Sequence, residues 1–179
     1  MQQAVFVNKT VVDTRHSKDY LRLMWASRGA ASKLILYAVA GFGICYAVYQ
    51  LVAEGGAALP YAAAMAALAV VAFCLAQWGY LLRVPGYMAA IRRLWGEEMP
   101  EKEVFFYPDK IYQKSRLGEL TLEYKQITAY YQSSLTLVLM MGKGALILDA
   151  NGFTEGTLTD FRQFLAEKCP ALPRKRVRQ

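Results

Sequence analysis

The chain has 179 residues, of which 55% are hydrophobic, and a formal net charge of +7. The apolar residues are concentrated between positions 34 and 82, so the remainder is long enough for one small globular domain at most. That remainder is too short to wrap two long apolar helices, which argues against a soluble protein with a buried helix pair. The cysteines Cys45, Cys74 and Cys169 show no CxxC spacing and predict neither a disulfide framework nor a metal site.

Residues 1–32 are predicted to form a cytoplasmic N-terminal segment. Positions 4–12 are rich in β-branched and aromatic residues and predict a short strand. Ser17 is expected to cap a following helix, with Asp19 in its first turn. Because this helix has one apolar face and one basic face, it can lie on the membrane surface or pack on the cytoplasmic domain.

The apolar middle of the chain contains one charged residue, Glu54, between the uncharged runs Leu34–Ala53 and Gly55–Leu82. A helix rises about 1.5 Å per residue, so about 20 residues cross a hydrocarbon core of roughly 30 Å. A secretory signal does not fit, because the first apolar run begins late and is too long. The chain therefore predicts a transmembrane helical hairpin at 33–83, with spans at about 33–53 and 60–82.

The basic residues beside the spans predict their orientation. Lys and Arg are frequent before the first span and return directly after the second with Arg83, Arg92 and Arg93, whereas the turn between the spans has neither. Cytoplasmic flanks carry the Lys/Arg excess, so both termini are expected in the cytoplasm and the turn outside. The second run is rich in alanine, which favours close packing on the first span or a homo-oligomer formed through the hairpin.

Residues 84–100 are predicted to form a juxtamembrane helix and a linker. Pro85 and Gly86 end or kink the second span. The following segment has the pattern of an interfacial helix anchored by a tryptophan. Its apolar face is predicted to contain Tyr87, Ile91, Leu94 and Trp95.

From residue 101 to 170 the hydrophobic period changes to two, and turn residues separate the apolar segments. The predicted result is an antiparallel meander with strands near 103–107, 110–116, 119–125, 127–133, 135–141 and 144–149. Thr157 and Asp160 form a capping box for a last helix that ends near Cys169. Several short strands and one covering helix predict a small antiparallel β-barrel or half-barrel of pleckstrin-homology type, and the whole chain is predicted to be an α+β membrane protein.

Four short stretches of this region follow one another in a known order: Phe106–Ile111, Gly118, Tyr124–Ile127, and Gly152–Phe153 before the last helix. Together they resemble the YcxB-like family, bacterial membrane proteins with two spans followed by a cytoplasmic domain similar to bacterial pleckstrin-homology domains. The resemblance implies this fold, this topology and the bacterial cytoplasmic membrane. It implies no catalytic residue, and pleckstrin-like domains in general bind lipid head groups, peptides or other proteins.

The chain shows no arrangement of residues typical of an enzyme. The only histidine, His16, is expected in an exposed linker and cannot form a histidine metal site alone. No phosphate-binding loop or GxSxG motif occurs, and no charged residue lies in the middle of either predicted span. We therefore expect no catalytic residue, no cofactor and no metal.

Basic residues near the predicted membrane surface are the main candidates for binding. The tail 171–179 is predicted to hold the domain against anionic lipid, with a disordered solubilising end as the alternative. The part from residue 97 onward has 12 Lys and Arg against 11 Asp and Glu, so nucleic-acid binding is not expected. The predicted membrane-surface residues are Arg22, Arg28, Lys33, Arg83, Arg92, Arg93, Trp95, Arg174, Lys175, Arg176 and Arg178.

These observations predict a non-enzymatic interaction module that is tethered to the bilayer and binds a protein partner or anionic lipid through its cytoplasmic domain. The alternative is a subunit of a membrane transport or envelope-stress complex in which the hairpin carries the function.

Overall fold

The computed structural model describes residues 3–96, 101–142, 144–170 and 174–176, with only the backbone considered for Arg28 and for 174–176. The architecture is α+β. In chain order the elements are β1 (Phe6–Val11), α1 (Thr14–Arg28), α2 (Ala30–Glu54), α3 (Leu59–Trp78), α4 (Val84–Trp95), β2 (Glu101–Phe106), β3 (Ile111–Ser115), β4 (Gly118–Leu122), β5 (Ile127–Gln132), β6 (Thr136–Met141), β7 (Gly144–Asp149), β8 (Phe153–Glu155), α5 (Leu158–Lys168) and β9 (Arg174–Arg176).

The chain divides into two compact units. Met24–Arg83 forms one unit, which we call the helical unit, and Met1–Leu23 joins Val84–Gln179 in the other, which we call the sheet unit. The region Ala30–Trp95 is long and apolar enough, by length and composition, to cross a membrane.

In the helical unit, α2 and α3 pack against each other through small residues. Gly43 lies so close to α3 that an added Cβ would be 3.1 Å from the Met65 carbonyl oxygen and 3.3 Å from the Ala69 Cβ. Nearer the other end of the pair, the Gln77 amide donates a hydrogen bond of 2.9 Å to the Tyr37 hydroxyl. The buried residues of the two helices are Ala40, Gly43, Ala47, Ala62, Ala69, Ala72 and Ala76.

In the sheet unit, the described strands form two sheets, with the order β4-β3-β2-β1-β8 in sheet A and β7-β6-β5-β9 in sheet B. Of the predicted barrel or half-barrel, the closed barrel is therefore wrong for the described strands. A 3₁₀ turn at Tyr124–Gln126, capped by hydrogen bonds between Glu123 and Gln126, separates β4 from β5, and β5 pairs with β6 and β9 instead. The predicted antiparallel meander is interrupted at the same place: β2–β4 and β5–β7 each pair antiparallel in chain order, but β4 and β5 belong to different sheets.

The N-terminal strand β1, which was predicted without a partner, lies inside sheet A between β2 and β8. It pairs antiparallel with β2 over six positions, from Phe6 opposite Phe106 to Val11 opposite Glu101, and its other edge pairs with β8. Strand β8 has three residues and was not predicted. The predicted strands corresponding to β2–β7 are all present, with bounds shifted by up to three residues.

The core lies between alternate residues of the strands and one face of α5. Phe161 of α5 is fully buried, and its ring lies 4.6 Å from that of Phe106, 5.1 Å from that of Phe153 and 5.5 Å from that of Phe6. The predicted cap of α5 is confirmed, since the Thr157 hydroxyl accepts a hydrogen bond of 3.2 Å from the Asp160 amide.

Helix α1 begins earlier than predicted and packs on protein. Asp13, not Ser17, caps it, because the Asp13 Oδ1 accepts hydrogen bonds from the amides of Arg15 and His16 at 2.8 and 2.9 Å. Ser17 is fully buried inside the helix. The Ser133 hydroxyl donates a hydrogen bond to the Asp19 carboxylate, so packing on the sheet unit is the alternative that the structure favours for residues 14–23.

Helix α4 also turns one face towards protein. The Tyr87 ring lies 5.6 Å from the Tyr20 ring of α1, and Val84 and Met88 are buried. Leu94, also part of the predicted apolar face, is 70% exposed. Positions 84, 88, 91 and 95 recur at helical spacing, and Leu94 lies at the side of this stripe, two turns after Tyr87.

We expect Gly152→Ala to destabilise the sheet unit. The Lys9 amide donates a hydrogen bond of 2.8 Å to the Gly152 carbonyl, and a Cβ at Gly152 would collide with the Lys9 carbonyl oxygen and lie 3.0 Å from the Asp149 Cβ. Forced displacement of packed backbone typically costs about 1–3 kcal/mol. Urea unfolding in detergent micelles, followed by strand circular dichroism, measures the loss.

Gly144→Ala is the matched control at the other end of β7. Its nearest atom would be 3.6 Å away, an ordinary contact, so the free energy of unfolding should stay within about 0.5 kcal/mol of the wild-type value. Equal stability of the two variants would contradict the close approach of β1 to Gly152.

Candidate membrane-surface residues and a buried polar cluster

The predicted membrane-surface residues differ in exposure and in how much of each residue the structure describes. Among the described side chains, Lys33 and Trp95 are half-buried, while Arg178 lies outside the described residues. The backbone of Arg174, Lys175 and Arg176 forms β9, and Arg28 ends α1. The exposed members are Arg22, Arg83, Arg92 and Arg93.

Arg92 and Arg93 are adjacent in the last turn of α4 and both are exposed. Leu94 follows them and is also exposed, so two guanidinium groups and one large apolar side chain emerge from a single turn. Basic residues at the last turn interact favourably with the helix dipole. Their neighbour Trp95 is half-buried.

Arg83 is held by Trp25, a residue that the sequence analysis did not single out. The Arg83 guanidinium carbon lies 5.2 Å from the centre of the Trp25 ring, a cation–π arrangement. The Trp25 indole donates a hydrogen bond of 3.0 Å to the Ala76 carbonyl, one of the carbonyls near the end of α3. Gly79 gives the ring room, since an added Cβ would lie 3.0 Å from it.

A buried polar cluster fixes β1 to the end of β7. Asn8 is fully buried, and its amide donates a hydrogen bond of 2.8 Å to the Asp149 carbonyl. The Thr10 hydroxyl donates a hydrogen bond of 2.6 Å to the Asn8 side-chain oxygen and accepts one of 2.8 Å from the Asp149 amide. Every polar atom named in this group has a partner, so the group adds specificity without an unsatisfied donor.

His16 belongs next to this cluster, and its predicted place in an exposed linker is wrong. It lies in the first turn of α1 and is buried. Its Nδ1 is 2.8 Å from the Asp13 Oδ1 and its Nε2 is 3.6 Å from the Asp149 Oδ2. The ring therefore lies between two carboxylates, one from the preceding turn of the chain and one from the end of β7, and this position explains its burial.

Asp13 has a shifted pKa for an identifiable reason. Partial burial raises the pKa of Asp13, but hydrogen bonds from the His16 amide and ring and from the Arg15 amide outweigh it, so that the pKa lies below its ordinary value. Among the described residues, no group of three or more His, Cys, Asp or Glu side chains is arranged to hold a metal ion. The arrangement is suited to joining α1 to the sheets.

Lys102 is a second buried polar residue that the sequence analysis missed. It is on the same face of β2 as Val104 and Phe106, and its register neighbours are Thr10 in β1 and Ser115 in β3. None of the ion pairs formed by the described residues includes Lys102. Burial lowers the pKa of Lys102 to about 8.

We expect Lys102→Met to change how stability depends on pH. Between the folded pKa of about 8 and the ordinary 10.5, the unfolded chain binds more protons, so this lysine makes wild-type stability rise with pH. The methionine variant should be more stable at neutral pH, with an advantage that narrows by roughly 2 kcal/mol between about pH 7 and about pH 10. Urea unfolding at each pH measures the difference.

Subtracting the two curves removes other titrating groups. Burial raises the pKa values of Tyr124 and Cys169, which lowers stability as pH rises, but both proteins share this slope. Lys114→Met removes an exposed lysine from the adjacent strand and should leave the wild-type slope in place. Parallel curves for Lys102→Met and wild type would contradict the buried, unpaired lysine.

Comparisons with known proteins bear on the sheet unit alone. Residues 106–165 match the model of the YcxB-like protein family. Searches of curated proteins and of solved structures found no match to the chain. The matched segment runs from the last residue of β2 into α5 and contains neither β1 nor the helical unit. The resemblance predicted from the sequence is thus confirmed over this segment, and residues 106–165 are a YcxB-like domain.

Proposed function

We propose that this protein crosses the bacterial cytoplasmic membrane twice and carries on its cytoplasmic side a non-enzymatic interaction module that binds anionic lipid. The observation that carries the proposal is the pairing of β1 with β2. β1 precedes the apolar helices and β2 follows them, yet the two strands share six consecutive register positions. Paired strands must be on the same side of a membrane, so a helical region between them that enters the bilayer crosses it an even number of times.

The lengths of the helices fit two crossings. Helix α2 has 25 residues and α3 has 20, enough at about 1.5 Å per residue for a hydrocarbon core of roughly 30 Å. The Gly55 turn between them takes a positive φ of 60°, which glycine adopts without strain.

The distribution of side-chain sizes in the helical unit supports lipid as its surroundings. Large apolar side chains point outward, with Val52 82%, Leu34 70% and Phe42 67% exposed. The residues buried between α2 and α3 are alanines and a glycine. Water would penalise so large an apolar surface, whereas helices in lipid associate through small residues and leave large ones facing the acyl chains.

Charge supports the cytoplasmic side and the type of ligand. The flanks carry Lys and Arg, and the turn at Gly55 has none. Arg92 and Arg93 are exposed within about a dozen residues of the second span, and each basic residue near an anionic leaflet is worth about 1 kcal/mol. A protein partner is the other outcome of the test below.

Cysteine labelling tests the topology. In a background lacking Cys45, Cys74 and Cys169, we expect Gly56→Cys to react with a membrane-impermeant maleimide in intact cells. Arg93→Cys and Lys125→Cys should react only after the membrane is opened, because both residues are exposed but lie on the cytoplasmic side. Labelling of Arg93→Cys in intact cells, or protection of Gly56→Cys, would overturn the orientation.

Native mass spectrometry of the detergent-solubilised protein tests the ligand. We expect phosphatidylglycerol to bind more tightly than phosphatidylcholine, and Arg92→Gln/Arg93→Gln to weaken phosphatidylglycerol binding on the order of tenfold. The control Lys114→Gln/Lys125→Gln removes the same charge from exposed positions in β3 and in the 3₁₀ turn before β5, and it should bind like wild type. Equal binding of both lipids would remove lipid as the ligand and leave a protein partner, or a function carried by the hairpin.

A further inference from the structure

The basic tail takes part in an interaction that its composition does not suggest. Its residues 174–176 form β9, which pairs in parallel with β5, with Arg174 opposite Tyr130, Lys175 opposite Tyr131 and Arg176 opposite Gln132. The same three residues are among those predicted to bind anionic lipid. We propose that β5 and an anionic bilayer surface compete for the tail, so that lipid binding displaces β9 and uncovers the edge of β5. The inference rests on the proposed function.

The two interactions exclude each other because of the backbone. As β9, residues 174–176 use backbone N–H and C=O groups in the ladder with β5 and are fixed at the end of sheet B. A segment bound among lipid head groups cannot keep that register. Since the tail has only one copy of these residues, a molecule whose tail is on the lipid has an uncovered β5 edge.

The β9 pairing is well suited to displacement. It spans three residues, whereas β5 has six, and parallel pairing is slightly less stable per residue than antiparallel pairing. A net gain of a few hydrogen bonds is set against the entropy of ordering the tail. β9 is also the terminal strand of its sheet, and β5 keeps its antiparallel ladder with β6 when β9 leaves.

The lipid side of the competition grows with charge. Arg174, Lys175, Arg176 and Arg178 all lie within five positions, and successive charges are at most two residues apart, closer than a Debye length of about 8 Å at physiological salt, so an anionic surface attracts them jointly. A segment with closely spaced like charges has little tendency to form a stable strand, and like charges opposite each other destabilise a sheet. An unpaired strand edge, once uncovered, is the type of surface to which an extended peptide adds as a new strand.

Hydrogen exchange on the full-length protein in nanodiscs tests the competition. The readout is the peptide covering Ile127–Gln132, and the internal reference is the peptide covering Thr136–Met141, an inner strand whose partners do not change. We expect the β5 peptide to exchange on the order of tenfold faster in discs containing phosphatidylglycerol than in discs of phosphatidylcholine alone. High salt should abolish the difference.

Two variants separate charge from backbone pairing. Replacing Arg174, Lys175, Arg176 and Arg178 by glutamine keeps the backbone donors and removes the lipid attraction, so exchange of the β5 peptide should become independent of the lipid. In Lys175→Pro/Arg176→Pro two successive N–H groups are lost, and since successive N–H groups of a strand point to opposite edges, one of them faces β5. This variant should exchange fast in both discs.

A second readout distinguishes failure of the competition from failure of lipid binding by the tail, whereas the mass spectrometry above tests the proposed function itself. A fluorophore on Val177→Cys, in the background without other cysteines, reports contact with spin-labelled lipid by quenching. Quenching in phosphatidylglycerol discs with unchanged β5 exchange would overturn the competition and leave lipid binding standing. Absence of quenching would overturn lipid binding by the tail, and the competition with it.

Discussion

The antiparallel pairing of β1 with β2 is the constraint on which the rest of the structure depends. It joins residues that are 90 to 100 positions apart in the chain, on either side of the apolar helices. It also brings Phe6 and Phe106 to the ring of Phe161, so the hydrophobic core requires both flanks. The buried hydrogen bonds of Asn8 and Thr10 to Asp149 then hold β1 against the end of β7. The flanks of the helical region are consequently one folded unit.

Much of the sheet unit follows from local pattern. The alternation around Leu137 and Leu139 predicts β6 because a strand exposes one face to the core every second residue. Thr157 predicts the start of α5, since its hydroxyl can accept a hydrogen bond from a free amide of the first turn, here that of Asp160. These features need no knowledge of distant parts of the chain.

The features that sequence reasoning missed depend on distant contacts. The charged stretch around His16 is typical of a surface segment. His16 is buried because distant parts of the chain, including Asp149, lie against α1. Lys102 is on the opposite face of β2 from its charged neighbours Glu101 and Glu103. Its burial therefore depends on what covers that face, which the local sequence does not encode. The basic sequence of β9 does not predict a strand, and β9 forms through its pairing with β5. The basic surface residues were predictable as types, but the partner of Arg83, Trp25, was not.

The place of β1 in the chain has a consequence for biosynthesis. This strand leaves the ribosome long before β2, so Phe6 and Val7 must stay unpaired while the apolar helices are made and inserted. Under the proposed topology, a chain whose helices cross the bilayer an odd number of times has β1 and β2 on opposite sides of the membrane. Sheet A then cannot form, and Phe6 is missing from the core around Phe161. Under that topology, folding of the cytoplasmic domain therefore requires correct insertion of the helices.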